Sequence, residues 1–119
     1  MALVVEFDKL LRTDESYKLN PYQALDIKQI GADFTGEVKV QIAEYTLTNL
    51  HGELNAAYPR DTNMLGPLDL KDLNLVVLPN IPYKFPSATA GYVRVKGDLY
   101  LLAAGEAPPA ALISRYNAQ

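Results

Sequence analysis

The chain has 119 residues, a formal charge of −3 and a pI near 5.0, a length that supports one hydrophobic core burying roughly 65% of the unfolded chain's surface. Apolar residues make up 49% and charged residues 21%, which excludes a disordered segment. The 11 basic residues are scattered and outnumbered by 14 acids, which excludes a general phosphate-backbone binder, since that needs clustered Lys and Arg.

There is no cysteine, so disulfides, thiolate metal sites and cysteine nucleophiles are ruled out. Ala2 to Val5 gives four apolar residues before Glu6, too few for a secretory leader. No run reaches the 18 apolar residues of a membrane helix. The expectation is a soluble protein with no membrane or nucleic-acid partner.

In chain order, residues 3–7 read as a short strand. Asn20-Pro21 is a turn signal, and residues 23–30 read as a second short strand. Residues 31–36, GADFTG, match neither a P-loop nor a dinucleotide fingerprint and read as a turn. Residues 37–42 alternate, with Val38, Val40 and Ile42 on one side and Lys39 and Gln41 on the other, as a half-buried strand does. The apolar phase then shifts to Tyr45 and Leu47, which a bulge would produce. A helical stripe through Val38, Ile42 and Tyr45, extending to Asn49, is the rival, disfavoured by Thr46, Thr48 and the β-branched start.

Residues 52–67 read as irregular. Residues 68–78 read as a long bent strand whose apolar parity changes at Lys71-Asp72. Pro79, Pro82 and Pro86 each remove a ladder donor, so residues 79–91 read as a long ordered loop. Residues 92–103, YVRVKGDLYLLA, read as a hairpin turning at Lys96-Gly97-Asp98. A two-residue turn would align Val93, Val95, Tyr100 and Leu102; a three-residue loop would align Val93, Val95, Leu99 and Leu101. Residues 107–119 open on Pro108-Pro109 and read as a short helix or a final edge strand. Short strands divided by turns, without long alternating helices, give a mainly β fold. The expectation is one β-rich domain over residues 1–119, an antiparallel β-sandwich or barrel-like domain with long ordered loops and at most one or two short helices.

The chemistry-bearing residues are sparse. His51 is the lone histidine, a turn residue without the partners that make a histidine catalytic. Asp69, Asp72 and Asn74 approach calcium-loop spacing but lack the central Gly and terminal Glu of an EF-hand. Asp8, Asp14 and Glu15 read as solvated loop acids. No catalytic residue, metal site or cofactor is expected, and the chain reads as a non-enzyme.

Eight tyrosines without a tryptophan form the compositional signal, because tyrosine joins a rigid apolar body to a hydrogen-bonding tip and suits interfaces. Tyr45, Tyr92 and Tyr100 read as sheet residues. Tyr17, Tyr22, Tyr58, Tyr83 and Tyr116 fall in loops or ends and form the candidate contact set, joined by Pro82, Phe85, Ile113 and Arg115. The expected function is a structural or assembly protein, a subunit of a homo-oligomer or larger particle that meets other protein subunits, its own copies or a scaffold or capsid protein, through loops and termini. In general character the chain resembles the small β-rich proteins that decorate or cement tailed-phage capsids, an analogy of class that no single motif carries. It implies a virion as one location. The alternatives are a carbohydrate- or ligand-binding β-sandwich module, with loop tyrosines as its platforms, and, with least support, a small acid-dependent hydrolase.

Overall fold

The computed structural model describes residues 3–32, 36–43, 54–60, 71–87 and 90–118. Eight strands and one helix follow in order: β1 Leu3–Arg12, β2 Ser16–Lys18, β3 Gln23–Ala32, β4 Gly36–Ile42, β5 Leu54–Arg60, β6 Lys71–Val77, β7 Pro82–Lys84, β8 Tyr92–Leu101 and α1 Ala110–Ala118. The strands form two four-stranded antiparallel sheets, β1-β8-β3-β6 and β2-β7-β4-β5. This is the mainly β architecture that the residue pattern implies, with one short helix, and it is compatible with a β-sandwich.

One pair of segments ties the sheets together. β1 continues into β2 as β7 continues into β8, and both segments change sheet at the same corner. There the Thr13 N–H donates to Gly91 O at 3.0 Å, the Gly91 N–H to Thr13 Oγ1 at 3.1 Å and the Asp14 N–H to Phe85 O at 3.1 Å. Asp14 takes a positive φ of 63°, a conformation that acidic and amide side chains tolerate better than most. The Asn20-Pro21 turn forms as expected, with the Tyr22 N–H donating to Asn20 Oδ1 at 2.8 Å.

The expected hairpin at Lys96-Gly97-Asp98 is not formed: β8 passes straight through it as a ten-residue strand. Gly97 is there for a different reason. A Cβ at Gly97 would stand 2.0 Å from the backbone oxygen of Asp26, so the glycine permits close approach of two strands rather than a turn. At that point β3 advances from Ile27 to Gln29 while β8 advances from Gly97 to Lys96. The extra residue is a bulge that resets the side-chain parity of β3. Leu25, Ile27, Ile30 and Ala32 can therefore all face Leu99, Gly97, Val95 and Val93 across the ladder. The Val93, Val95, Leu99, Leu101 alignment holds, through strand alternation instead of a loop.

Two further expectations change, and the open alternative at the C-terminal segment resolves to its helix. The 79–91 loop contains β7, which lies between β2 and β4; Pro82 is tolerated as the first residue of that strand, where its carbonyl accepts from the Ala43 N–H at 2.8 Å. Within the 52–67 segment, residues 54–60 form β5, an edge strand, which explains how Pro59 is accommodated. The C-terminal segment is the helix α1, whose first turn begins with the Leu112 and Ile113 N–H groups donating to Pro109 O at 2.9 and 3.2 Å. β1 and β3 both extend beyond their expected ends. Tyr45, Leu47 and residues 68–70 lie outside the described residues.

The core joins both sheets: Leu25, Ile27, Ile30, Val93 and Val95 from the first cluster with Val40, Ile42, Tyr83 and Phe85 from the second, all buried. Gly97→Ala is expected to cost about 1–3 kcal/mol, the range for overpacking a filled interior, read as a lowered urea midpoint. An unchanged midpoint would contradict the close approach of β8 to β3.

Candidate interaction edge

Among the described residues β1 has a strand partner on one side only. Of its odd residues Val5, Phe7 and Leu11 are half-buried while Leu3 and Lys9 are exposed, and Phe7 and Leu11 pack against the core. Its even residues Val4, Glu6, Asp8, Leu10 and Arg12 are exposed, the alternation expected where one face of a strand covers a core. Three large apolar side chains are presented to solvent on this one strand: Leu3 at 62%, Val4 at 46% and Leu10 at 60% exposure. Tyr22, 51% exposed, stands at the Leu3 end, next to Gln23, which shares Leu101 with Leu3 in the ladder. At the other end the Arg12 guanidinium lies 5.5 Å from the centre of the exposed Tyr92 ring.

The middle of the edge is charged and locally compensated. Arg94 grips Asp8 with two bonds, Nε to Oδ1 at 2.9 Å and Nη2 to Oδ2 at 2.8 Å, and this hydrogen-bonded contact holds the Asp8 carboxyl below the usual carboxylate range. Lys96 reaches Glu6 at 3.9 Å. An open groove of about 360 Å³ is lined by Glu6, Lys28, Lys96, Gly97 and Asp98. Its charges also pair off, Lys28 lying 3.8 Å from Asp98 and 3.7 Å from Asp26.

The one buried charge among the described residues is Asp26, 2% exposed. Arg115 of α1 binds it bidentately, Nη1 to Oδ2 at 2.9 Å and Nη2 to Oδ1 at 2.8 Å, and also bonds Asn74 of β6. The hydrogen bonds to Asp26 raise the Arg115 pKa further above its ordinary value. Leu112 and Tyr116, one helical turn apart, bury the apolar side of the same helix. A nine-residue helix is marginal alone, so α1 depends on these three anchors.

The candidate contact residues separate into groups. Tyr83 and Phe85 are buried core residues, packed edge to face at 6.0 Å, and Tyr116 is buried too; these three fill the chain's own interior instead of standing ready for a partner. Burial pushes the Tyr83 hydroxyl up to about 12. Tyr17 is half-buried, its ring 5.8 Å from Tyr83, its hydroxyl donating to Glu15 and accepting from the Arg12 N–H; desolvation, then the Glu15 contact, raises its pKa. Pro82, Ile113 and Arg115 are half-buried, and Tyr22 alone of the set is well exposed among residues whose side chains are described. Tyr58 lies on β5, its side chain outside the described residues, as are His51 and Asp69 altogether. Among the described residues no group of three His, Cys, Asp or Glu side chains could hold a metal ion, and no described helix is long and apolar enough to cross a membrane.

The chain matches no family model and no curated protein.

The residues that sequence reasoning missed are Asp26 and the edge of β1. Asp26 carried a signal, an acid between Leu25 and Ile27 in an apolar strand, which demands a charge partner when buried. Arg115→Ala is expected to destabilise the chain by about 2 kcal/mol, below the 3–5 kcal/mol of a fully buried pair because the arginine is partly solvated. Lys28→Ala, at a mostly exposed site, is expected to stay within about 0.5 kcal/mol. Equal effects in chemical denaturation would contradict the assignment of Arg115 as the partner of Asp26.

Proposed function

We propose that this protein is a non-enzymatic assembly subunit that meets other protein subunits through the open edge of β1, in a homo-oligomer or larger particle such as a decorated virion capsid. The observation that carries this reading is the concentration of exposed Leu3, Val4 and Leu10 on one ten-residue edge strand. Proteins usually blunt such edges, because a row of open backbone groups beside apolar side chains invites another chain. The charges at Glu6, Asp8 and Lys9 restrict that pairing to partners that accommodate them. Asp8, Asp26 and Glu6 are each engaged with basic side chains.

The test is the native mass of the full-length chain across a concentration series, by light scattering coupled to size exclusion, beside the double variant Val4→Glu, Leu10→Glu. A defined oligomer that the double variant weakens at least tenfold, with folding intact, is the expected result. A chain that stays monomeric up to its solubility limit would contradict self-assembly.

A further inference from the structure

The outward row of β1 is symmetric about Phe7. Thr13 and Gly91 continue the β1–β8 register as a hydrogen-bonded pair, so by antiparallel alternation the odd residues of β1 direct their backbone groups to β8 and the even residues direct theirs outward. The outward Arg12 N–H is occupied by the Tyr17 hydroxyl at 2.8 Å. Val4, Glu6, Asp8 and Leu10 remain, and this set maps onto itself when the strand is turned end for end about Phe7.

Resting on the assembly reading above, we propose that β1 pairs antiparallel with β1 of a second copy across a two-fold axis at Phe7, joining two four-stranded sheets into one of eight. A two-fold axis normal to a sheet requires some residue to face its own mate, because side chains alternate between faces. An axis at Asp8 opposes two aspartates and sets Val4 against the partner's Arg12, whose N–H is taken. Axes at Glu6 or Lys9 likewise oppose identical charges. The Phe7 axis uses all four open residues, sets Val4 against the partner's Leu10 and Leu3 against the partner's Leu11, and so covers the three exposed apolar side chains. It places Glu6 opposite the partner's Asp8, but each copy brings Arg94 and Lys96 already bound to those acids, so two acids meet two bases on each side of the seam. Edge pairing alone lies at the low end of the roughly 1,200–2,000 Å² buried by specific interfaces. The dimer is therefore expected to depend on concentration.

With no native cysteine, single substitutions report register directly. Facing residues of a non-hydrogen-bonded pair lie about 4.5 Å apart at Cα, within disulfide reach. Under mild glutathione oxidation of the full-length chain, Phe7→Cys is expected to form a disulfide dimer, whereas Val5→Cys and Lys9→Cys, whose mates stand roughly 13 Å away at four residues' offset, are not. Cross-linking at position 5 or 9 in place of 7 overturns the register. Because Phe7 is half-buried, Glu6→Pro supplies a second measurement in an otherwise native chain: it removes an outward N–H and is expected to weaken association at least tenfold with circular dichroism unchanged. A wild-type oligomer that neither cross-links at position 7 nor responds to Glu6→Pro overturns β1 pairing while leaving the assembly reading standing. A strictly monomeric wild type overturns both pairing and self-assembly.

Discussion

The approach of β8 to the bulge of β3 at Gly97 is the constraint on which the first sheet depends. β8 is hydrogen-bonded on both sides, to β1 and to β3, and its strict alternation sets the face that every neighbour must match. β3 matches it only because one extra residue near Lys28 resets its parity, keeping Ile30 and Ala32 on the core side with Leu25 and Ile27. Just before it, the backbone of Asp26 and Ile27 occupies the space that a side chain at position 97 would need. The same straight passage of β8 lays β1 along it for ten residues, making the edge long enough to act as a contact site. A real hairpin at Gly97 would have halved that edge.

Strands whose apolar residues alternate were legible in the sequence, as in residues 37–42 and 23–30. The misreading at residues 96–98 has a physical origin: a Gly-Asp pair between two β-rich runs is a hairpin turn signal, yet close strand approach makes the same demand for glycine. Only the bulge in β3, far earlier in the chain, separates the two, and no local pattern contains it. β5 and β7 were hidden by Pro59 and Pro82, since proline argues against a central strand but not against an edge or a strand's first residue. The fold class survived these errors because it rests on several strands divided by turn residues without long alternating helices.

The candidate contact surface was less legible than the fold. Tyrosine count pointed to interfaces, but a tyrosine's amphipathic build serves a core equally well, and Tyr83 and Tyr116 went inside. Arg115 stands out in the sequence as a contact residue at the chain end, yet its guanidinium turns inward. It closes the charge of Asp26, 89 residues away in sequence, and so fixes α1 on the first sheet. With the helix held and the core tyrosines withdrawn, the exposed large apolar groups among the described residues concentrate on β1 and at its two ends. Glu6 and Asp8 in the middle of that strand are paired within the chain, which lowers the desolvation cost of covering them.

The most direct measurement is amide hydrogen exchange along β1, read residue by residue at low and high protein concentration. The Val5, Phe7, Lys9 and Leu11 amides face β8 and are expected to be protected at both. The Val4, Glu6, Asp8 and Leu10 amides are expected to exchange freely when dilute and to become protected when concentrated, in step with the rise in native mass. An oligomer in which those four amides exchange equally fast at both concentrations would contradict assembly through this edge.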